Sequence, residues 1–135
     1  MKLSLICVGK IKEKYLTMGI DEYKKRLGRY WSLETIELPD EKTPDNATFA
    51  VGEAIKKTEG ARILKAIKDD SYCIALDIRG NMLSSEELAK HMEKLFVSGK
   101  SHISFVIGGS LGLSEEVLKR ADYRLSFSKM TFPHQ

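Results

Sequence analysis

The stretch Ile103-Ser104-Phe105-Val106-Ile107-Gly108-Gly109-Ser110-Leu111-Gly112-Leu113 decides the fold. Its first half is an apolar, β-prone run too short for a stable helix, as expected of a strand covered on both faces. Its second half is a glycine-rich loop. Ser114 then opens a short helix, its hydroxyl placed to cap free amides, with Glu115 and Glu116 at the positive end of the helix dipole. A buried strand running through glycines into a capped helix is the building unit of a parallel α/β sheet.

The same alternation repeats outward from that unit. Leu3 to Val8 is a β-prone run closed by Gly9, and Tyr15, Leu16, Ile20, Tyr23, Leu27 and Tyr30 recur at helical spacing over residues 14–30. Ser32 to Pro39 reads as a strand and Asp40 to Ala47 as the longest loop. Residues 47–68 read as a long helix, with a kink or break expected near Gly60. Ser71 to Asp77 is nearly all apolar, a strand covered on both faces, and Ile78-Arg79-Gly80-Asn81 reads as a turn. Ser84 and Glu87 have the spacing of a capping box, opening a helix that ends at Gly99. Tyr123 to Phe127 is a fifth strand, and Ser128 to Gln135 an apolar, irregular end. This order predicts one domain over residues 1–135, a three-layer α/β sandwich with a mostly parallel sheet. Ligands of such sheets settle outside the carboxyl ends of the strands. Three unusual ends converge there: Leu76 to Gly80, Gly108 to Leu113 and Phe127 to His134.

Composition limits the remaining choices. The chain has 135 residues, 42% hydrophobic and 30% charged, enough to bury a core without disulfides. No apolar run approaches the roughly 20 residues of a membrane span. The N-terminal apolar stretch is too short for a signal peptide and lacks a small-residue cleavage site, so a cytoplasmic location is expected, with Cys7 and Cys73 as buried thiols. The net charge of +3 is unevenly spread. Residues 1–30 carry eight basic and three acidic groups, residues 34–53 one basic and six acidic, and residues 56–68 five basic and one acidic. That segregation provides a face able to meet phosphate, though solvated helix faces would look the same.

Several motifs fail their own requirements. From Gly108 or Gly109, the positions a dinucleotide fingerprint reserves for glycine hold Ser110 and Leu113, or Leu111 and Ser114. Gly99-Lys100-Ser101 ends like a phosphate loop but has Lys94 where the first glycine belongs, and it precedes a strand. His91, His102 and His134 with the two cysteines show no metal-ligand spacing, so no metal is expected. Gly108-Gly109-Ser110-Leu111-Gly112 does match the G-x-S-x-G of a serine hydrolase, with Asp122 and His134 following in triad order. Against it, Leu111 to Ser114 delays the helix that a nucleophile elbow enters directly.

Taken together, Ala75-Leu76-Asp77-Ile78-Arg79-Gly80, Phe105 to Leu113 and Ser126-Phe127-Ser128-Lys129-Met130-Thr131-Phe132-Pro133-His134-Gln135 resemble the RlmH (YbeA-type) methyltransferases. Val8-Gly9-Lys10-Ile11-Lys12, Glu22-Tyr23 and Arg26-Leu27 fit the same family. The resemblance implies a SPOUT fold with a C-terminal trefoil knot, a homodimer, and methyl transfer from S-adenosylmethionine to N3 of a pseudouridine in large-subunit ribosomal RNA. It also implies cofactor contacts at Leu76, Gly108, Phe127, Ser128, Lys129, Met130, Thr131 and Phe132. Family members continue beyond the proline–histidine loop through another helix to a basic, aromatic tail, which contributes to the dimer interface and closes the cofactor site.

The residues suit that role. Gly108 and Gly109 let backbone approach an adenine ring, and Leu76, Ile107, Met130 and Phe132 would wall the slot. An imide nitrogen must lose its proton to be nucleophilic, and His134, the one imidazole near the expected site, is either the catalytic base or a residue that packs or hydrogen-bonds the terminal loop. A non-catalytic RNA- or nucleotide-binding protein of the same fold is the alternative. Under either reading, Lys10, Lys12, Lys14, Lys24, Lys25, Arg26 and Arg29 are candidate phosphate contacts. Reversing the charges of Lys24, Lys25 and Arg26 is expected to weaken RNA binding and leave cofactor binding intact. Filter binding across a salt series checks this, each lost phosphate contact flattening the log–log slope by roughly 0.7 to 0.9.

Overall fold

A computed structural model describes residues 1–134. Its elements run β1 (Lys2–Val8), α1 (Lys14–Leu27), β2 (Ser32–Leu38), α2 (Phe49–Ala66), β3 (Tyr72–Met82), α3 (Ser85–Val97), β4 (His102–Ile107), α4 (Glu115–Arg120) and β5 (Tyr123–Ser126). The five strands form one sheet in the order β2-β1-β4-β3-β5, and every pairing is parallel. All carboxyl ends therefore lie on one edge.

Strand alternation divides the core in two. Ile6, Val8, Cys73 and Val106 point to one face, where α2 and α4 contribute Ile63, Ile67 and Val117. Leu3, Ile74, Ile103 and Leu125 point to the other, under Leu88, Met92, Leu95 and Phe96 of α3. Complete burial of a side chain such as Ile74 contributes about 1.5–3 kcal/mol. The second face is more thinly covered, for neither α1 nor α3 buries any residue completely. Capping follows the sequence: Ser84 and Glu87 form the reciprocal box, and the Ser114 hydroxyl accepts from Val117 N.

Four expectations need correction. The first helix ends at Leu27 rather than Tyr30, because the cluster Lys24-Lys25-Arg26 completes a last turn suited to the helix dipole and Gly28 follows as cap. The last strand stops at Ser126, leaving Phe127 exposed. The segment Ile78 to Asn81 is not a turn that ends its strand. Leu76 and Asn81 both register with Leu125, so the intervening residues bulge outward while β3 continues to Met82.

The fourth concerns Gly60, which causes no break: α2 runs unbroken through it. Glycine is needed there for packing, since a Cβ would stand 2.3 Å from Ser114 Oγ and 3.3 Å from Val117 Cγ2. Gly60→Ala gains at most about 1 kcal/mol in helix propensity, against about 1–3 kcal/mol of overpacking and a displaced cap on α4. A lower urea midpoint is the expected outcome. A raised midpoint would mean that α4 moves aside without cost.

Candidate functional site

Three chain segments meet at the carboxyl edge of β3, β4 and β5 and enclose a cavity of about 390 Å³. Leu76, Asp77 and Ile78 come from the bulge of β3, Ile107 to Leu113 from the loop after β4, and Phe127, Ser128, Met130, Thr131 and Phe132 from the chain beyond β5. Close backbone approach builds these walls. A Cβ on Gly80 would lie 2.7 Å from the Arg124 carbonyl, and one on Gly108 would lie 2.9 Å from the Gly112 carbonyl and Leu113 Cδ2. The loop is held by a Gly112 N–H bond to the Gly109 carbonyl (3.0 Å), with Gly112 at φ +91°.

Beyond β5 the chain folds back over that edge. Ser126 Oγ donates to the Ser128 carbonyl and Met130 N–H donates to Ser128 Oγ, each at 3.0 Å. The strap then passes β3 and β4 and reaches β1, where His134 Nε2–H donates to the Val8 carbonyl at 2.8 Å. Three strand spacings, about 14 Å, are crossed this way. Gly9 makes the landing possible: its φ is +96°, and a Cβ there would press on His134 Nε2 at 3.2 Å.

Seven of the sequence-derived positions, Leu76, Gly108, Phe127, Ser128, Met130, Thr131 and Phe132, line this one cavity. Lys129 belongs to the same strap but does not line the cavity, and its side chain is exposed. His134 sits in a neighbouring cleft of about 670 Å³, between α1 and the thinly covered sheet face. Ile107 is the wall shared by the two. Cys7 lies in that cleft, its thiol pKa raised mainly by burial, and burial likewise pushes Cys73 up to about 11, so both thiols stay protonated. The sequence reading marked the strand end that holds Asp77 but gave that residue no role. Asp77 Oδ1 accepts from Arg79 N–H at 3.2 Å, while Oδ2 is buried without a hydrogen-bond partner. A lone acid at a strand end gives no periodic signal.

The hydrolase arrangement is not assembled. Asp122 Oδ2 accepts from Cys73 N–H and Arg120 at the opposite, amino edge of the sheet, and His134 Nε2 is committed to a carbonyl. A second serine–histidine–acid cluster, Ser4, His102 and Glu34, is also structural. Ser4 gives its only proton to Glu34 (2.6 Å), so the His102 Nε2–H donates to Ser4 and cannot act on it as a base. The Ser4 hydrogen bond lowers the Glu34 pKa, and burial lowers that of His102. His91 packs against Tyr72 and Tyr123. Among the described residues, no group of three or more His, Cys, Asp or Glu is placed to hold a metal ion, and no helix is long and apolar enough to cross a membrane.

A parallel sheet whose carboxyl edge carries a glycine-built, largely apolar cavity defines an α/β protein with its candidate site where ligands of such sheets settle. The chain is a member of the family described as "Predicted SPOUT methyltransferase", whose model matches residues 1–135. Among curated relatives, it is 64% identical to ribosomal RNA large subunit methyltransferase H of Clostridioides difficile (strain 630). It is 62% identical to the protein of the same name from Alkaliphilus oremlandii (strain OhILAs), and 58% to that of Clostridium kluyveri (strain NBRC 12016). In each case all of this chain and 85% of the relative are covered.

The close packing at Gly108 yields a direct test. In Gly108→Ala the added Cβ presses on Gly112 and Leu113, and the overpacking of about 1–3 kcal/mol displaces the loop that lines the cavity, so weaker ligand binding there is expected. Calorimetric titration with S-adenosylmethionine reads it, with circular dichroism confirming that the sheet is retained.

Proposed function

We propose that this protein transfers a methyl group from S-adenosylmethionine to N3 of a pseudouridine in large-subunit ribosomal RNA, working as a cytoplasmic homodimer. The observation that carries the reading is the full-length family match, set beside a cavity at the three chain segments where the resemblance puts the cofactor. The cavity fits that cofactor on its own chemistry. Gly108 lets the loop after β4 close tightly against the Gly112 carbonyl, Leu76, Ile107 and Leu125 are apolar walls for a flat base, and Asp77 offers an unpaired buried acceptor. Exposed Phe127, Met130 and Phe132 at its mouth suit coverage by a second copy. The crossing strap suits a knotted C-terminus.

Bound there, S-adenosylmethionine supplies an electrophilic methyl carbon on a sulfonium, so positioning accounts for much of the rate. The cavity walls hold the donor and exclude water. Transfer would form the N–CH3 bond as the S–CH3 bond breaks, with the electron pair staying on sulfur and the imide proton leaving the acceptor nitrogen. From the neighbouring cleft that shares the Ile107 wall, His134 is assigned that proton: its Nε2–H is fixed on the Val8 carbonyl, which leaves Nδ1 carrying the lone pair. On α1, Lys14, Lys25 and Arg26 are exposed to meet phosphate, while Lys24 is half-buried in the cleft.

Labelled methyl transfer onto ribosomal RNA from a strain lacking this modification tests the activity, with the modified position mapped afterwards. At 100 times its dissociation constant, S-adenosylmethionine should add about 2.7 kcal/mol, a rise of several degrees in Tm. RNA binding without label transfer would leave the non-catalytic alternative standing. For His134→Asn, a fall in kcat of about 10²–10⁴-fold with cofactor affinity retained is expected. An unchanged kcat would reduce His134 to an anchor of the strap.

A further inference from the structure

Among the described residues, Asp77 is the single ionisable one lining the cavity, in a chain whose net charge is +3. Its Oδ1 is used by the bulge's own Arg79 amide, and its Oδ2 is buried without a partner. A second buried carboxylate stands behind the glycine loop. Glu59 is 4% exposed, its Oε2 accepts from Glu41 N–H, and its Oε1 lies 2.8 Å from where a Cβ on Gly109 would be. The basic side chains next to the lining segments in sequence, Arg79, Arg124 and Lys129, are exposed and not among the lining residues. The cavity therefore carries negative charge with no cation in its wall, inside a low-dielectric surround where charge acts over distance.

We propose that Asp77 makes this cavity select a cationic occupant, holding the charged methyl donor in preference to the neutral product of transfer. The inference rests on the function proposed above. S-adenosylmethionine carries a sulfonium, an ammonium and a carboxylate, net +1. When the S–CH3 bond breaks and the new N–CH3 bond forms, the electron pair of the broken bond stays on sulfur and leaves a neutral thioether. The product, S-adenosylhomocysteine, is then a zwitterion of net charge zero, and the attraction to Asp77 is lost at the moment of transfer. Such a site loads donor and sheds product without any conformational change. Asp77 need not touch the donor, for a unit charge about 10 Å away at an effective dielectric near 20 already shifts affinity roughly tenfold.

Calorimetry on the full chain compares S-adenosylhomocysteine with sinefungin, a non-reactive analogue that carries a protonated amine in place of the methylated sulfonium. The wild type is expected to bind sinefungin at least about tenfold more tightly than S-adenosylhomocysteine. Asp77→Asn retains the acceptor for Arg79 N–H and should bring the two within about threefold, chiefly by weakening sinefungin. Asp77→Glu, which restores the charge, should recover the preference, and Glu59→Gln should reduce it by a smaller factor. Equal wild-type affinities for the two ligands would overturn the proposal even if no variant folds. So would an Asp77→Asn protein that weakens both ligands alike. If S-adenosylmethionine itself does not bind the wild type, the functional reading falls first and takes this inference with it.

Discussion

Backbone meets backbone at the carboxyl edge of the sheet more closely than any side chain would allow, and the site depends on that constraint. Gly80 abuts the Arg124–Leu125 peptide, Gly108 abuts the Gly112 carbonyl, and Gly9 lies under the His134 ring. The contacts at Gly80 and Gly9 join a strand end to a segment remote from it in sequence, and the contact at Gly108 closes the loop after β4 on itself. Together they let the bulge of β3, the loop after β4 and the C-terminal strap share one cavity. The cost of three constrained glycines is met by a core in which Ile6, Ile74, Ile103 and Val106 are completely buried in the sheet beneath.

The parallel sheet makes this convergence possible. With every strand running the same way, the carboxyl ends gather on one edge, and the strap can visit β5, β3, β4 and β1 in succession. The polar clusters at the amino edge serve a different purpose. Ser4, Glu34 and His102 staple β1, β2 and β4, while Arg120 and Asp122 tie α4 to the start of β3. Chemistry and stapling are thus placed at opposite ends of the same strands.

Much of this was legible without coordinates. The buried run Ile103–Ile107, the capping serines 84 and 114 and the glycines after β4 carry local signals: periodicity, hydroxyl spacing and backbone freedom. They were enough to order all nine described elements and to mark the three strand ends that line the cavity. The bulge at residues 77–80 was hidden, because a turn and a bulge use the same residue types and differ only in what the chain pairs with afterwards. Gly60 misled for a similar reason. A glycine within a helix weakens it locally, and only the presence of Ser114 and Val117 across the interface shows why it is there.

By itself, the sequence determined the α/β class, the element order and the resemblance that names the cofactor, since each depends on residue type and spacing along the chain. Tertiary structure alone decided which strands are neighbours, that His134 docks on Val8 in a separate cleft, and that Asp77 is the one ionisable group among the described residues of the cavity wall. The physical reason is distance. Contacts between residues 8 and 134, or between 80 and 124, come from how the strap and bulge close over the sheet edge, and no local periodicity records where a chain will cross itself.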